Sequence, residues 1–251
     1  MVVNVRGSYY QEMERLAQFL VDQKGLKKIA CFYQDDGYGR AGLSGINIAL
    51  EKRGLKLAAE GTYTRNTTAI ANGLKAIEGS QPDAVIMVGA YKPCAEFIKS
   101  AKKNDNLKDA YFCNISFVGT KNLVTELGAV GDEKCVISQV VPYPWDDSIA
   151  LVKEYQDAMK AAGKAEEIGF VTLEGYMVAK FFSQALEKVE GEPTREKWLA
   201  AVSSTGTFDL GGISLVFGAQ DHQGMDEVFL SHISGSKAIP LGDSNPVATA
   251  E

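Results

Sequence analysis

Along the first 141 positions the chain alternates between helical and strand-like hydrophobic periods. Met13, Leu16, Ala17, Leu20 and Val21 recur at helical spacing, which predicts a helix over Ser8–Lys24 closed by Gly25. A short apolar run, Lys28–Tyr33, then ends in the polar, glycine-punctuated turn of KIACFYQDDGYGRAG. Helical spacing resumes over Tyr38–Arg53, with Leu43, Ile46, Ala49 and Leu50 on one face. The cycle repeats with a strand at Leu55–Tyr63 and a helix at Ala69–Ile77, for which the threonines of Thr64–Thr68 are candidate caps. Ala84–Val88 is continuously apolar and reads as a central strand buried on both faces. Gly89–Pro93 turns that strand into a helix reaching Lys103, with proline in the tolerated first turn. Strand Ala110–Ile115, helix Thr120–Leu127 and strand Cys135–Val141 complete the series. Such alternation specifies an α/β fold, a doubly wound parallel five-stranded sheet.

The character changes beyond Val141. Pro142 and Pro144 stiffen PYPWDD into a connector. Helices are predicted at Ile149–Ala162, Val171–Val189 and Thr194–Val202, the second with Tyr176, Val178, Ala179, Phe182 and Leu186 at core spacing. Phe208–Phe217 and the strand Glu227–Ser234 read as a small hairpin or crossing ribbon, and 242–251 as a polar, flexible tail.

In open parallel sheets ligands meet the loops beyond the carboxyl ends of the strands. Tyr33, Gln34, Asp35, Asp36 and Tyr38 stand in the first of these loops. If the strand order is the common 2-1-3-4-5, the loops carrying Tyr38 and Tyr91 flank the switch point and Ser116 stands beside them. Two tyrosines, a hydroxyl and an acidic pair suit a small polar molecule. Each also has an ordinary structural reading: a tyrosine in a loop packs and wets its hydroxyl, and Asp35–Asp36 forms a solvated turn. Gly37-Tyr-Gly-Arg-Ala-Gly42 also matches the dinucleotide pattern G-x-G-x-x-G, with Glu60 about where the ribose-binding acid stands. Asp35 and Asp36 argue against it, because they set two negative charges where a pyrophosphate would approach bare amides.

Composition narrows the function further. A chain of 251 residues, 45% hydrophobic, holds one large or two small cores. Its net charge of -6, with both signs interspersed, provides no basic stripe for nucleic acid and no polybasic run for an anionic membrane. No apolar stretch approaches the roughly 20 residues that span a bilayer. The start, MVVNVRGSYY, has no signal-peptide pattern and reads as a chain entered midway. Cys31, Cys94, Cys113 and Cys135 have no metal-ligand spacing, and those in strands read as small buried apolar residues. With His222 and His232 in no cluster, neither a metal site nor a Ser-His-Asp triad is predicted. The expectation is a protein without catalytic residues, cofactor or nucleic-acid partner.

The ordered series NVRGSYYQEMERLAQFL, YQDDGYGRAG, TRNTT, PDAVIMVGAYKP, NISFVG, VPYPWDDS, LEGYMVAK and FDLGGISLVF resembles the type I periplasmic solute-binding proteins of the Leu/Ile/Val-binding family, from Asn4 to Leu241. The resemblance implies an extracytoplasmic receptor that binds an amino acid or related small molecule for the membrane subunits of an ABC transporter, by closure of two lobes. The alternatives are a ligand-sensing module of a receptor and a nucleotide-dependent enzyme using the GYGRAG loop. The resemblance also implies that residues 4–141 form the second, C-terminal lobe, 142–205 a connector with helices of an incomplete first lobe, and 206–241 the crossing ribbon. Most of the first lobe, which holds the ligand's carboxylate in the family, is then missing from this sequence. Ligand contacts carry over to Tyr38 and Tyr91, with Asp35, Asp36, Ala90 and Phe117 alongside. The family's acidic residue for the ligand's ammonium falls on Ser116, which cannot neutralise a cation, so either Asp35 or Asp36 compensates or the ligand lacks the amine. Without the first lobe, the apolar face of the helix Val171–Val189 is expected to be exposed and to drive a homodimer or a rearranged packing.

Overall fold

The computed structural model describes residues 2–242, which divide into two compact units. The larger comprises residues 8–139 and 228–242. Its sheet has the order β2-β1-β3-β4-β5-β8-β9, built from β1 (Ile29–Gln34), β2 (Ala59–Tyr63), β3 (Ala84–Val88), β4 (Tyr111–Asn114), β5 (Cys135–Gln139), β8 (Phe229–Ser234) and β9 (Lys237–Pro240). The first five are parallel and follow the expected 2-1-3-4-5 order. The last two are antiparallel additions beside β5, so the stretch read as one ribbon over 206–241 is divided. Only β6 (Thr207–Asp209) and β7 (Ser214–Val216) form the separate two-stranded ribbon. Most of the tail expected at 242–251 lies outside the described residues.

β3 is buried along its whole length, as its unbroken apolar run requires. Met13, Leu16 and Leu20 pack with Ile46, Ala49 and Leu50 and with strand residues Cys31, Ile86, Cys113 and Val136. The first three belong to α1 (Tyr9–Ala17) and its π-helical continuation Gln18–Gln23, the next three to α2 (Gly37–Glu51). α1 starts where Gln11 turns back to accept the Ser8 amide at 2.6 Å. α3 (Ala71–Glu78), α4 (Tyr91–Ala101) and α5 (Thr120–Leu127) complete this unit. The threonines before α3 do not cap it. Ile70 occupies the cap position, and Thr67 instead closes the preceding turn onto the Thr64 carbonyl at 2.7 Å. All four cysteines are buried free thiols whose pKa burial pushes up.

The smaller unit comprises residues 2–7 and 140–227. Asn4 joins it by backbone hydrogen bonds to His222 and Gly224, both 2.8 Å. It holds α6 (Ala150–Ala161), α7 (Phe170–Glu187), α8 (Arg195–Thr205) and the β6–β7 ribbon. Its core gathers Leu151, Tyr155, Leu173, Met177, Phe181 and Phe217. The buried face of α7 is Leu173, Met177, Phe181 and Ala185, not the face expected from Tyr176, Val178, Ala179, Phe182 and Leu186. Of that expected face Val178, Phe182 and Leu186 are exposed, with Val171 outward as well. The correction has a simple cause. α7 is apolar on two stripes, and periodicity finds a stripe without saying which one is covered.

Candidate functional site

The sheet's carboxyl edge gathers the predicted residues from three connections. β1 ends at Gln34, and Asp36 caps α2 by accepting the amides of Tyr38 at 3.0 Å and Gly39 at 3.1 Å. Its other oxygen accepts the Gln34 side-chain amide at 2.6 Å. Burial works against the Asp36 carboxylate, but the Gly39 amide, Gln34 and the Tyr38 amide outweigh it and hold the pKa below the usual aspartate value. Asp35 is paired with Arg40 at 2.6 Å, with both side chains exposed. The acidic pair is therefore engaged within its own loop.

Tyr38 is brought among rings. Tyr9 meets it edge-on at 5.5 Å, and Phe117 lies tilted against it at 5.4 Å. Its hydroxyl turns inward and has no hydrogen-bond partner among the described residues, and burial, with the Cys94 thiol nearby, pushes the phenol's pKa up. Tyr38 thus offers ring surface. Phe117, in the 3-10 turn Ser116–Val118 after β4, is 63% exposed, so its ring is presented outward. Tyr91 opens α4 after the exposed Ala90, on the neighbouring connection, and makes no ring contact among the described residues.

Ser116 has a partner that the sequence reading missed. Glu12, fully buried in α1, accepts the Ser116 amide at 2.7 Å, the Ser116 hydroxyl at 3.0 Å and the Ser138 hydroxyl at 2.5 Å. The Ser116 hydroxyl thus donates to the carboxyl group behind it. A readable signal existed: Glu12 is in helical phase with Leu16, Phe19 and Leu20, a charge on an apolar stripe.

The glycine pattern has a packing role. A Cβ on Gly39 would lie 1.8 Å from the Gln34 carbonyl oxygen, and one on Gly42 would lie 2.6 Å from the Val88 side chain. α2 can lie this close to the sheet only with bare backbone there. The helix N-terminus that would hold a phosphate already holds the Asp36 carboxylate. Glu60 is also misplaced for a ribose. It is the second residue of β2, about 10 Å of strand short of the carboxyl edge, and accepts from the Tyr33 hydroxyl at 3.3 Å. Among the described residues no group of His, Cys, Asp and Glu is placed to hold a metal, and no helix is long and apolar enough to cross a membrane.

The doubly wound parallel sheet, with aromatic rings and a serine on its carboxyl-edge loops, matches the lobe of the type I periplasmic binding fold. The chain belongs to the periplasmic binding protein family, whose profile matches residues 1–238. Its fold is similar to that of a possible leucine/isoleucine/valine-binding protein from Rhodopirellula baltica. The identity is 35% and the TM-score 0.87, over 96% of this chain but 66% of that one. The fold is also similar to a branched-chain amino acid ABC transporter protein from Thermus thermophilus with bound valine, at 18% identity and TM-score 0.81, over 97% of this chain and 66% of that one. A leucine-binding protein from Thermotoga maritima matches at 16% identity and TM-score 0.83, over 96% and 67%. No curated protein matches the sequence.

Proposed function

We propose that the chain is a non-catalytic, extracytoplasmic solute-binding domain that takes an amino acid with an apolar side chain and serves an ABC importer. The observation that carries the reading is the aromatic group of Tyr9, Tyr38 and Phe117 beside Ser116 at the carboxyl edge, in a chain 35% identical to a possible leucine/isoleucine/valine-binding protein. The rings of Tyr38, Phe117 and Tyr91 meet the ligand's side chain. Ser116, with the Glu12 carboxyl hydrogen-bonded behind it in place of a compensating Asp35 or Asp36, faces the ligand's ammonium, and Ala90 lies alongside. Asp35 and Asp36 act on the ligand by shaping the loop that carries Tyr38. Calorimetry with leucine, isoleucine, valine, phenylalanine and small carboxylates tests this. Saturable binding of one amino-acid class, weakened at least tenfold (about 1.4 kcal/mol) by Tyr38→Ala with Tyr91→Ala at unchanged circular dichroism, is expected. Unchanged affinity in that double variant would remove the site assignment.

The exposed stripe Val171, Val178, Phe182 and Leu186 on α7 supports a homodimer as the partner reading. Light scattering should give twice the chain mass, and a monomeric mass at high concentration would end that reading.

A further inference from the structure

A polar chain behind the carboxyl edge contains a residue that the ligand contacts do not use. Tyr63, the last residue of β2, is 2% exposed, and its ring stacks on Phe32 at 5.4 Å. A phenylalanine would fill the same space, so packing accounts for the ring and not for the hydroxyl. That hydroxyl accepts the Ala90 amide at 2.9 Å and donates to the Gln34 side-chain carbonyl at 3.0 Å. Gln34 passes the link on by donating to Asp36, whose second oxygen holds the Tyr38 and Gly39 amides. The main-chain carbonyl of Tyr63 also accepts the Asp35 amide at 2.9 Å. The backbone of the third strand's loop is pressed onto this group. A Cβ on Gly89 would lie 2.9 Å from the Tyr63 hydroxyl oxygen and 2.9 Å from the Cys94 sulfur.

We propose that Tyr63 is a positioning residue for ligand binding: its hydroxyl ties the loop after β3, carrying Ala90 and Tyr91, to the loop after β1, carrying Tyr38. This rests on the binding reading above. The two connections leave the sheet on either side of the switch point, Tyr63 and Ala90 lie 27 positions apart in the chain, and no disulfide joins them. A ligand that touches both loops gains full contact only if their separation is already set, because displacement of supporting groups by even ~1 Å degrades a site. A buried hydroxyl with its donor and acceptor both satisfied by the two loops sets that separation.

The test uses Tyr63→Phe, Gln34→Leu, their double variant and Ile77→Val, a mild core substitution in α3, as a stability control. Leucine affinity by calorimetry is expected to fall about tenfold in Tyr63→Phe, to fall no further in the double variant than in the worse single one, and to be unchanged in Ile77→Val. Amide hydrogen exchange, read without ligand, is expected to quicken at Ala90 and also at Tyr38 and Gly39 in Tyr63→Phe. Wild-type affinity in Tyr63→Phe, or quickened exchange at Ala90 with no change at Tyr38 and Gly39, overturns the proposal. A wild-type chain that binds none of leucine, isoleucine and valine overturns the binding reading instead, and the exchange pattern then decides the tie between the loops.

Discussion

The two units bury their apolar surface in different ways. In the larger, β3 and β5 are buried along their whole length, and the glycines of α2 let helix and sheet approach closely, as at Gly42 over Val88. In the smaller, α7 has two apolar stripes, one locked into the core through Phe181 and the other carrying Phe182 at 50% exposure. A sheet unit closes its own core. A helical unit built on a doubly apolar helix leaves surface that asks for a partner.

Adjacent phenylalanines give the largest test of that contrast. Phe181 stacks on Phe217 at 4.9 Å and meets Phe208 edge-on at 5.0 Å, so Phe181→Ala should lower unfolding stability by about 3–5 kcal/mol. Phe182→Ala should cost about 1 kcal/mol or less, because it loses chiefly its stacking on Trp198. Comparable losses in denaturant titrations would show that the outer stripe is as buried as the inner one. Within the sheet unit, Gly39→Ala forces a methyl onto the Gln34 carbonyl and should cost at least about 1–3 kcal/mol. A neutral result would mean that α2 has room to lift.

The smallest effect tests the cap that orders the loop of Tyr38. Asp36→Ala should cost about 1 kcal/mol at neutral pH. Because the folded pKa of Asp36 lies below its ordinary 3.8, its charged-cap contribution is complete above that value and is lost as pH falls through the folded pKa. Asp36→Asn keeps a capping side chain without the titration. The stability gap between wild type and Asp36→Asn should therefore close on acidification from pH 6 to pH 2, and a gap independent of pH would contradict the charged cap.

Much of this was legible in the sequence, and the reasons are local. β3 announced itself by five consecutive apolar residues, and the first helix–strand–helix passage by helical spacing on either side of a short apolar run. The loop residues Tyr38, Tyr91 and Ser116 followed from the rule that carboxyl-edge loops meet ligands. Glu12 was passed over because one charge within an amphipathic pattern reads as a solvated position, although its phase with Leu16 placed it inside. Tyr63 and Gln34 were unreadable as a pair, since they lie 29 positions apart and only the register of β1 against β2 makes them neighbours.

By itself the sequence determined the alternating α/β architecture and the loops that end its strands, because hydrophobic period and turn chemistry act over a few residues. Only the tertiary structure decided which stripe of α7 is covered, that the glycines of GYGRAG serve helix–sheet contact, that Asp36 is held in a cap, and that Glu12 stands behind Ser116. Each of these depends on what a distant segment brings into contact, and that information lies in packing and strand register.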